Sequence, residues 1–136
     1  MRVEFFEKAT HIKFTRKGVR LMDERFSRTE LLLGGDGMKK LKNSAVIVFG
    51  IGGVGGYAVE ALCRSGVGRI ALVDSDKVSV SNINRQIIAT EKTVGQYKTD
   101  AFYERILEIN PECEVERINL FYTKDTADEI DLTKYD

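Results

Sequence analysis

The feature that most constrains the fold is an apolar run ending in closely spaced glycines, AVIVFGIGGVGG, over residues 45–56. A run rich in β-branched residues is typical of a buried parallel strand. Gly50 would permit a tight turn, Gly52 would let the backbone approach a bound group, and Gly55 would let a helix pack closely on the strand. Because a helix is predicted to follow over residues 57–65, its first amides would point at an anion such as a phosphate.

The residues after this unit support the same interpretation. The predicted helix has small apolar residues on one face, and Gly66 and Gly68 end it. A second strand over residues 69–73 ends at Asp74, about 20 residues past the loop, where a carboxylate can bind ribose hydroxyls. The glycines could instead form only a structural turn, but strand, loop, helix, strand and acid all occur in the expected order. We therefore predict a nucleotide site, although the loop alone does not decide between a dinucleotide and ATP.

Composition limits the class of protein. A chain of 136 residues, 43% hydrophobic and 31% charged, is expected to form one domain at most. Its 21 basic and 21 acidic residues cancel, so charge gives no support for nucleic-acid binding by the chain as a whole. We expect no membrane span, and two cysteines without a spacing motif fit a reducing cytoplasm.

The pattern along the chain predicts an α/β fold. Residues 1–24 are expected to be a solvated, poorly ordered extension, and residues 25–136 to form the nucleotide-binding part. Further predicted elements are a helix over 23–33 with Asp23 as its N-cap, a helical turn at 38–41, a helix over 95–110, a strand over 114–120 and a turn at 125–131. Right-handed crossovers would give a Rossmann-like parallel sheet in the order 3-2-1 with flanking helices. We expect the sheet to be truncated before its second half, with an exposed edge on the first strand.

The polar segment after Asp74 favours ATP over a dinucleotide. A triphosphate carries more negative charge than a dinucleotide and needs fixed cations. Arg85 suits a bidentate grip on phosphate oxygens, and Lys98 near a helix start can supply a point charge. Taken singly, each base could be an ordinary solvated side chain, and Asn82 and Asn84 could be turn residues. Taken together, these side chains supply what a triphosphate requires beyond backbone amides.

Several segments carry a family resemblance. The runs GIGGVGG, LVDSDKV, SNINRQI, TVGQYK and INPEC resemble the ubiquitin-activating-enzyme-like superfamily, the ThiF/MoeB/HesA group of adenylating enzymes. The runs RFSRTELLLG, EALCRSGVG and NINRQIIA are similar to its tRNA threonylcarbamoyladenosine dehydratase branch. The resemblance extends over residues 25–136, and its motifs are more specific in combination than singly.

The resemblance implies ATP-dependent activation of a carboxylate as an acyl-adenylate. In the dehydratase branch, the carboxylate belongs to threonylcarbamoyladenosine in tRNA, and cyclisation of the activated carboxyl is a dehydration. One alternative is adenylation of the C-terminus of a ubiquitin-like sulfur-carrier protein, with a cysteine desulfurase system as a further partner. The others are an NAD-dependent oxidoreductase and a catalytically inactive interaction fragment.

The resemblance also implies roles for individual residues. Arg85 and Lys98 would act on the phosphates, and Arg28 resembles an arginine that enters the neighbouring subunit's site in family homodimers, although it could be part of a solvated helix face. The implied nucleotide-binding residues are Gly50, Gly52, Gly53, Gly55, Asp74, Asp76, Ser81, Asn82, Asn84, Arg85, Gln86 and Lys98.

Some family features have no counterpart in the sequence. The family's Mg²⁺-binding aspartate is expected just beyond Asp136, so no metal ligand is assigned and the chain is expected to be inactive alone. Cys63 and Cys113 match no thioester cysteine; Cys63 is expected to be a buried small residue and Cys113 to start a strand. His11 is interpreted as a bystander rather than a ligand.

Overall fold

The computed structural model describes residues 23–136, so the predictions for residues 1–22, including His11, lie outside the described part. The helices and strands follow in the order α1 (Ser27–Asn43), β1 (Ala45–Phe49), α2 (Gly53–Ser65), β2 (Arg69–Val73), α3 (Lys98–Ile109) and β3 (Glu114–Ile118). Short 3-10 turns lie at Glu24–Phe26, Val80–Asn82, Ala127–Glu129 and Leu132–Lys134.

The three strands form a parallel sheet in the order β1-β2-β3, which is the predicted order. Ala45 lies opposite Arg69 across the first pair, and Arg69 lies opposite Glu114 across the second. The central strand is the most buried, with Ile70 and Leu72 inaccessible to solvent. The architecture is therefore a three-stranded Rossmann-like α/β fold, with α2 and α3 as the crossover helices.

The hydrophobic core lies between the sheet and these two helices. Val59 and Cys63 of α2 and Phe102 and Ile106 of α3 are buried against Ile70 and its neighbours. The predicted burial of Cys63 is thus confirmed. None of the helices described for residues 23–136 has an apolar stretch of the length that a bilayer crossing requires.

The first helical stretch ends where its glycines predicted. Gly34 has non-helical φ 71° and ψ 170°, so α1 consists of two helical stretches joined by a kink at this residue. The second stretch contains the predicted helical turn at 38–41 and is longer than predicted, because it continues to Asn43. Leu41 of this stretch packs against the core, and the Met38 side chain lies beside Gly66. Asp23 caps the preceding turn, as predicted, by accepting a hydrogen bond from the Arg25 amide at 3.1 Å.

The segment after β3 leads back across the sheet to β1. The rings of Phe49 and Tyr122 lie 4.4 Å apart, so residues near the carboxyl end of β3 contact the end of β1. At the opposite end of the sheet, the Asp136 amide donates to the Ala45 carbonyl at 2.9 Å, and the Ala45 amide donates to Asp136 Oδ2 at 2.9 Å. This path places residues 120–122 above the carboxyl ends of the strands.

Candidate functional site

The glycine loop joins β1 to α2 in a geometry that only glycines allow at two positions. Gly50 has φ 73°, and its amide donates to the Val73 carbonyl at 2.8 Å. A Cβ on Gly55 would lie 1.8 Å from the Gly50 carbonyl oxygen, so any side chain there would push α2 away from the strand. Gly52 precedes α2 and offers no side-chain cap to its first amides. Those amides are consequently available to an anion.

Asp74 connects the end of β2 to this loop. Its Oδ2 accepts a hydrogen bond from the Ile51 amide at 3.0 Å, and its Oδ1 accepts one from the Asp76 amide at 2.8 Å. The side chain is only 9% exposed, so the carboxylate is held rigidly. Because a carboxylate has about four lone-pair positions, Asp74 can still accept a hydrogen bond from a ligand hydroxyl.

Lys98 is the first residue of α3 and brings a buried positive charge to the same place. The residue is 5% exposed, and lysines are rarely buried to this extent unless they are paired. Its ammonium lies 2.7 Å from Asp76 Oδ2 and 3.7 Å from Asp74 Oδ1. The loop, the two aspartates and the lysine therefore form one connected cluster at the carboxyl edge of the sheet.

These groups line an open cavity of about 580 Å³, a volume that suits a small organic ligand. The residues that line the cavity and were also predicted to bind a nucleotide are Gly50, Gly52, Gly53, Gly55, Asp74, Asp76 and Lys98. The structure thus brings together seven of the residues that the sequence assigned to a nucleotide.

The other predicted polar side chains do not line this cavity. Asn82 accepts a hydrogen bond from the Ser79 amide at 3.1 Å and so caps its own turn, while the Ser81 hydroxyl lies 2.9 Å from that of Ser79. Arg85 is exposed, and its Nη1 donates to the Ser81 carbonyl at 2.6 Å and to Asn84 Oδ1 at 3.1 Å. These side chains are engaged with one another rather than with the glycine loop.

The backbone of the same segment nevertheless lies beside the loop. The Arg85 carbonyl oxygen is 4.0 Å from where a Cβ on Gly53 would lie, and Gln86 Nε2 is 3.5 Å from the corresponding position on Gly52. Gln86 is 8% exposed, and its Oε1 has no hydrogen-bond partner among the described residues. The backbone of Arg85 therefore borders the glycine loop, while its guanidinium is bonded to Ser81 and Asn84.

Arg28 lies apart from the cavity. It is an exposed residue of α1 and is not among the residues that line the glycine-loop cavity. Any role in a nucleotide site would therefore be at the site of another subunit.

Sequence reasoning missed the aromatic side of the cavity. Phe49, Leu120, Phe121 and Tyr122 line it, and Phe121 is 72% exposed. The order of the strands could have predicted this lining, because residues that follow parallel strands lie at the same edge of the sheet.

The cysteines do not provide a reactive group. Burial raises the pKa of both Cys63 and Cys113 to about 11, so each remains a thiol near neutral pH. Among residues 23–136, no three His, Cys, Asp or Glu side chains are gathered in a way that could hold a metal ion.

Comparison with known proteins gives a consistent result. The ThiF family matches residues 26–136. A tRNA threonylcarbamoyladenosine dehydratase from Bacillus subtilis is 55% identical over 108 residues, which are 79% of this chain and 42% of that protein. An adenylyltransferase and sulfurtransferase from Drosophila yakuba is 39% identical over 110 residues, 79% of this chain and 23% of that protein.

A solved structure is similar as well. The Escherichia coli tRNA N6-threonylcarbamoyladenosine dehydratase in complex with ATP superimposes with a TM-score of 0.77 at 42% identity, over 82% of this chain and 47% of that one. The chain thus spans less than half the length of these relatives. Together with the glycine loop and its aspartate–lysine cluster, these matches show that the chain belongs to the ThiF family.

Proposed function

We propose that the cavity binds ATP and that the chain is the nucleotide-binding part of an enzyme that activates a carboxylate as an acyl-adenylate. The observation that carries the proposal is the position of the Lys98 ammonium, in the same cavity as the uncapped amino end of α2. A dinucleotide needs only the amides for its pyrophosphate, whereas a triphosphate adds charge that a fixed cation would stabilise.

Different residues would bind different parts of the ATP molecule. The amides of the loop from Gly50 to Gly55 would bind phosphate oxygens, Asp74 would accept hydrogen bonds from the ribose, and Lys98 would supply a point charge. Arg85 would supply a second cation. Its guanidinium would release the hydrogen bond to the Ser81 carbonyl and donate to a phosphate oxygen instead.

The chemistry that ATP supplies is an electrophilic α-phosphorus with pyrophosphate as its leaving group. A carboxylate oxygen forms the new bond to that phosphorus, and the bond to the pyrophosphate oxygen breaks with its electron pair. No side chain has to move a proton in this step. The protein would act by holding the reactants in line and by neutralising negative charge on the phosphates.

The acceptor that we propose is the threonine carboxylate of threonylcarbamoyladenosine in tRNA. Cyclisation of the activated carboxyl would make the net reaction a dehydration of this nucleoside, and we place the reaction in the cytoplasm. The support is the identity to dehydratases, including the Bacillus subtilis relative at 55%. A second candidate acceptor is the C-terminus of a ubiquitin-like sulfur-carrier protein, because the Drosophila yakuba relative carries an adenylyltransferase name. A cysteine desulfurase system would be a further partner in that case.

We also propose a homodimer in which Arg28 reaches the cavity of the second subunit. Leu31 and Leu32, one turn further along α1, are 85% and 86% exposed, and two adjacent leucines exposed to this extent fit a surface that another subunit covers. Sedimentation velocity on the chain and on Leu32→Glu tests this. We expect the parent chain to sediment as a dimer and Leu32→Glu to sediment as a monomer. A parent chain that is monomeric at high concentration would contradict the proposed homodimer.

Mg²⁺ accompanies ATP in the proposed reaction, and we assign it no protein ligand, because residues 23–136 gather no three His, Cys, Asp or Glu side chains that could hold a metal ion.

Isothermal titration of the chain with ATP and with NADH tests the proposed function. We expect ATP to bind and Lys98→Ala to weaken binding, with the exposed Lys92→Ala as the matched control that leaves affinity unchanged. Binding of NADH in preference to ATP would contradict the proposal. For the acceptor, exchange of labelled pyrophosphate into ATP by the full-length enzyme should depend on tRNA that carries threonylcarbamoyladenosine rather than on a sulfur-carrier protein.

A further inference from the structure

Lys98 and Asp76 are 22 positions apart, and a short antiparallel pairing brings them together. The Lys98 amide donates to the Asp76 carbonyl at 3.0 Å, and the Val78 amide donates to the Gln96 carbonyl at 2.9 Å. Between these bonds, Lys77 pairs with Tyr97, and the Lys77 ammonium lies 4.8 Å from the centre of the Tyr97 ring. The first residue of α3 is thereby held against the segment that follows β2.

Asp76 is fixed at three points. Its amide donates to Asp74 Oδ1 at 2.8 Å, its carbonyl accepts from the Lys98 amide, and its Oδ2 lies 2.7 Å from the Lys98 ammonium. Its side chain is nevertheless 65% exposed, whereas that of Lys98 is 6% exposed. Asp76 is therefore a rigidly held carboxylate at the surface that contacts a buried ammonium at the cavity.

We propose that Asp76 is a positioning residue: it holds the Lys98 ammonium at one place in the cavity, where a phosphate group of the ligand meets it. This rests on the proposed function, in which Lys98 binds phosphate. Asp74 does not fill this role, because its nearer oxygen lies 3.7 Å from the ammonium, too far for a hydrogen bond. Without Asp76, the flexible four-carbon stem would leave the ammonium without a short hydrogen bond.

The opposite role would be competition, in which Asp76 neutralises Lys98 and keeps phosphate away. The two roles predict opposite signs when the carboxylate is removed. The geometry favours positioning, because Asp76 is anchored through its own backbone and can remain in place while the ammonium uses its remaining protons for a ligand. A lysine ammonium has three donors, of which Asp76 occupies one with a short bond.

The test uses the chain itself with three variants, Asp76→Ala, Asp76→Asn and Asp100→Ala. Asn retains an oxygen that can accept from the ammonium. Asp100 is the matched control, because it is an acid in the first turn of α3 that pairs with Arg117 at 2.8 Å and does not line the cavity. Two quantities are measured: the lysine ammonium signals in ¹⁵N NMR without ligand, and the affinities for ATP, tripolyphosphate and adenosine.

In the parent chain and Asp100→Ala we expect a slowly exchanging ammonium signal from Lys98, which Asp76→Ala loses. Asp76→Ala should weaken ATP and tripolyphosphate binding by roughly tenfold while leaving adenosine unchanged, and Asp76→Asn should restore most of the loss. Tighter binding of tripolyphosphate to Asp76→Ala, or an unchanged ammonium signal, would overturn the proposal. If the parent chain binds no ATP, the proposed function fails, and the ammonium signal without ligand still decides whether Asp76 positions Lys98.

Discussion

Removing the carboxylate of Glu60 should destabilise the fold more than a change at a helix surface normally does. Glu60 lies on α2, and its side chain is only 10% exposed. Arg105 of α3 donates to both carboxylate oxygens, at 2.8 Å each, and Arg64 of α2 donates to one of them at 2.8 Å. The carboxylate therefore joins the two crossover helices that cover the sheet.

The magnitude follows from these contacts. Truncating one partner of a buried, hydrogen-bonded ion pair costs about 3–5 kcal/mol. Glu60→Ala should cost less, because the side chains of Arg64 and Arg105 are 57% and 35% exposed and can regain water. We expect a loss of about 2–3 kcal/mol in the free energy of unfolding, and about half of that for Arg105→Ala, which leaves Arg64 in place.

Urea unfolding followed by circular dichroism measures the effect at pH 7. The midpoint should fall by about 1–2 M for Glu60→Ala with an unchanged slope. The double variant Glu60→Ala/Arg105→Ala should cost less than the sum of the single changes, because the two residues contact each other. A midpoint close to that of the parent chain, or strictly additive losses, would refute the reasoning.

The same carboxylate makes stability depend on pH. Burial by itself would raise the pKa of Glu60, but the hydrogen bonds from Arg105 and Arg64 outweigh it, so the pKa lies below its ordinary value of 4.5. The unfolded chain therefore takes up the proton first as the pH falls. The contribution of Glu60 should be complete above pH 4.5 and should be lost as the pH falls through the folded pKa. Glu60→Gln should remove this part of the acid sensitivity, as urea midpoints at several pH values would show.

Further predictions concern the loop, the arginine beside it and the thiols. Gly55→Ala should destabilise the fold by about 2 kcal/mol or more in urea unfolding, because its Cβ would lie 1.8 Å from the Gly50 oxygen. The control Gly35→Ala should be neutral or stabilising, because a Cβ there would lie 3.5 Å from its nearest neighbour. Equal effects of the two substitutions would contradict this prediction. Arg85→Ala should weaken ATP binding by roughly tenfold in calorimetry while leaving the unfolding midpoint unchanged, since its guanidinium contacts only exposed groups; an unchanged affinity would remove it from the proposed site. Cys63 and Cys113 should react with iodoacetamide only on unfolding, because burial raises the pKa of each thiol to about 11, and rapid labelling of the native chain would disprove it.

The local elements were predictable where short-range rules act alone. The strand Arg69–Val73 has the predicted bounds, because an apolar run between glycines and an aspartate has few alternatives. The helix after the glycine loop begins at Gly53 rather than at residue 57, since the glycines themselves adopt helical geometry. In α1, Gly34 interrupts the helix at the predicted end, and only the length of the stretch that follows, to Asn43, was not predicted. Met38 and Leu41 of that stretch make tertiary contacts that a local pattern does not contain.

In the candidate site, too, some features were predictable from the sequence and others were not. The spacing of the glycine loop and Asp74 predicted which residues would share a cavity, because parallel strands place their carboxyl ends at one edge. The roles of the polar residues in residues 81–86 could not be predicted in the same way. Asn82 is used as a cap, and Arg85 contacts its neighbours, because local hydrogen bonds compete for these side chains.

By itself, therefore, the sequence determined the strand–loop–helix unit and the order of the sheet, because glycine spacing, hydrophobic period and the handedness of crossovers follow simple rules. The family was indicated separately, by the resemblance of several motifs taken together. Only the tertiary structure decided that Asp74 holds the loop through the Ile51 amide and that Lys98 is buried against Asp76. It also decided that Phe49 and Tyr122 close one side of the cavity. Those contacts join residues that are far apart in the chain, and their geometry depends on how the helices pack on the sheet.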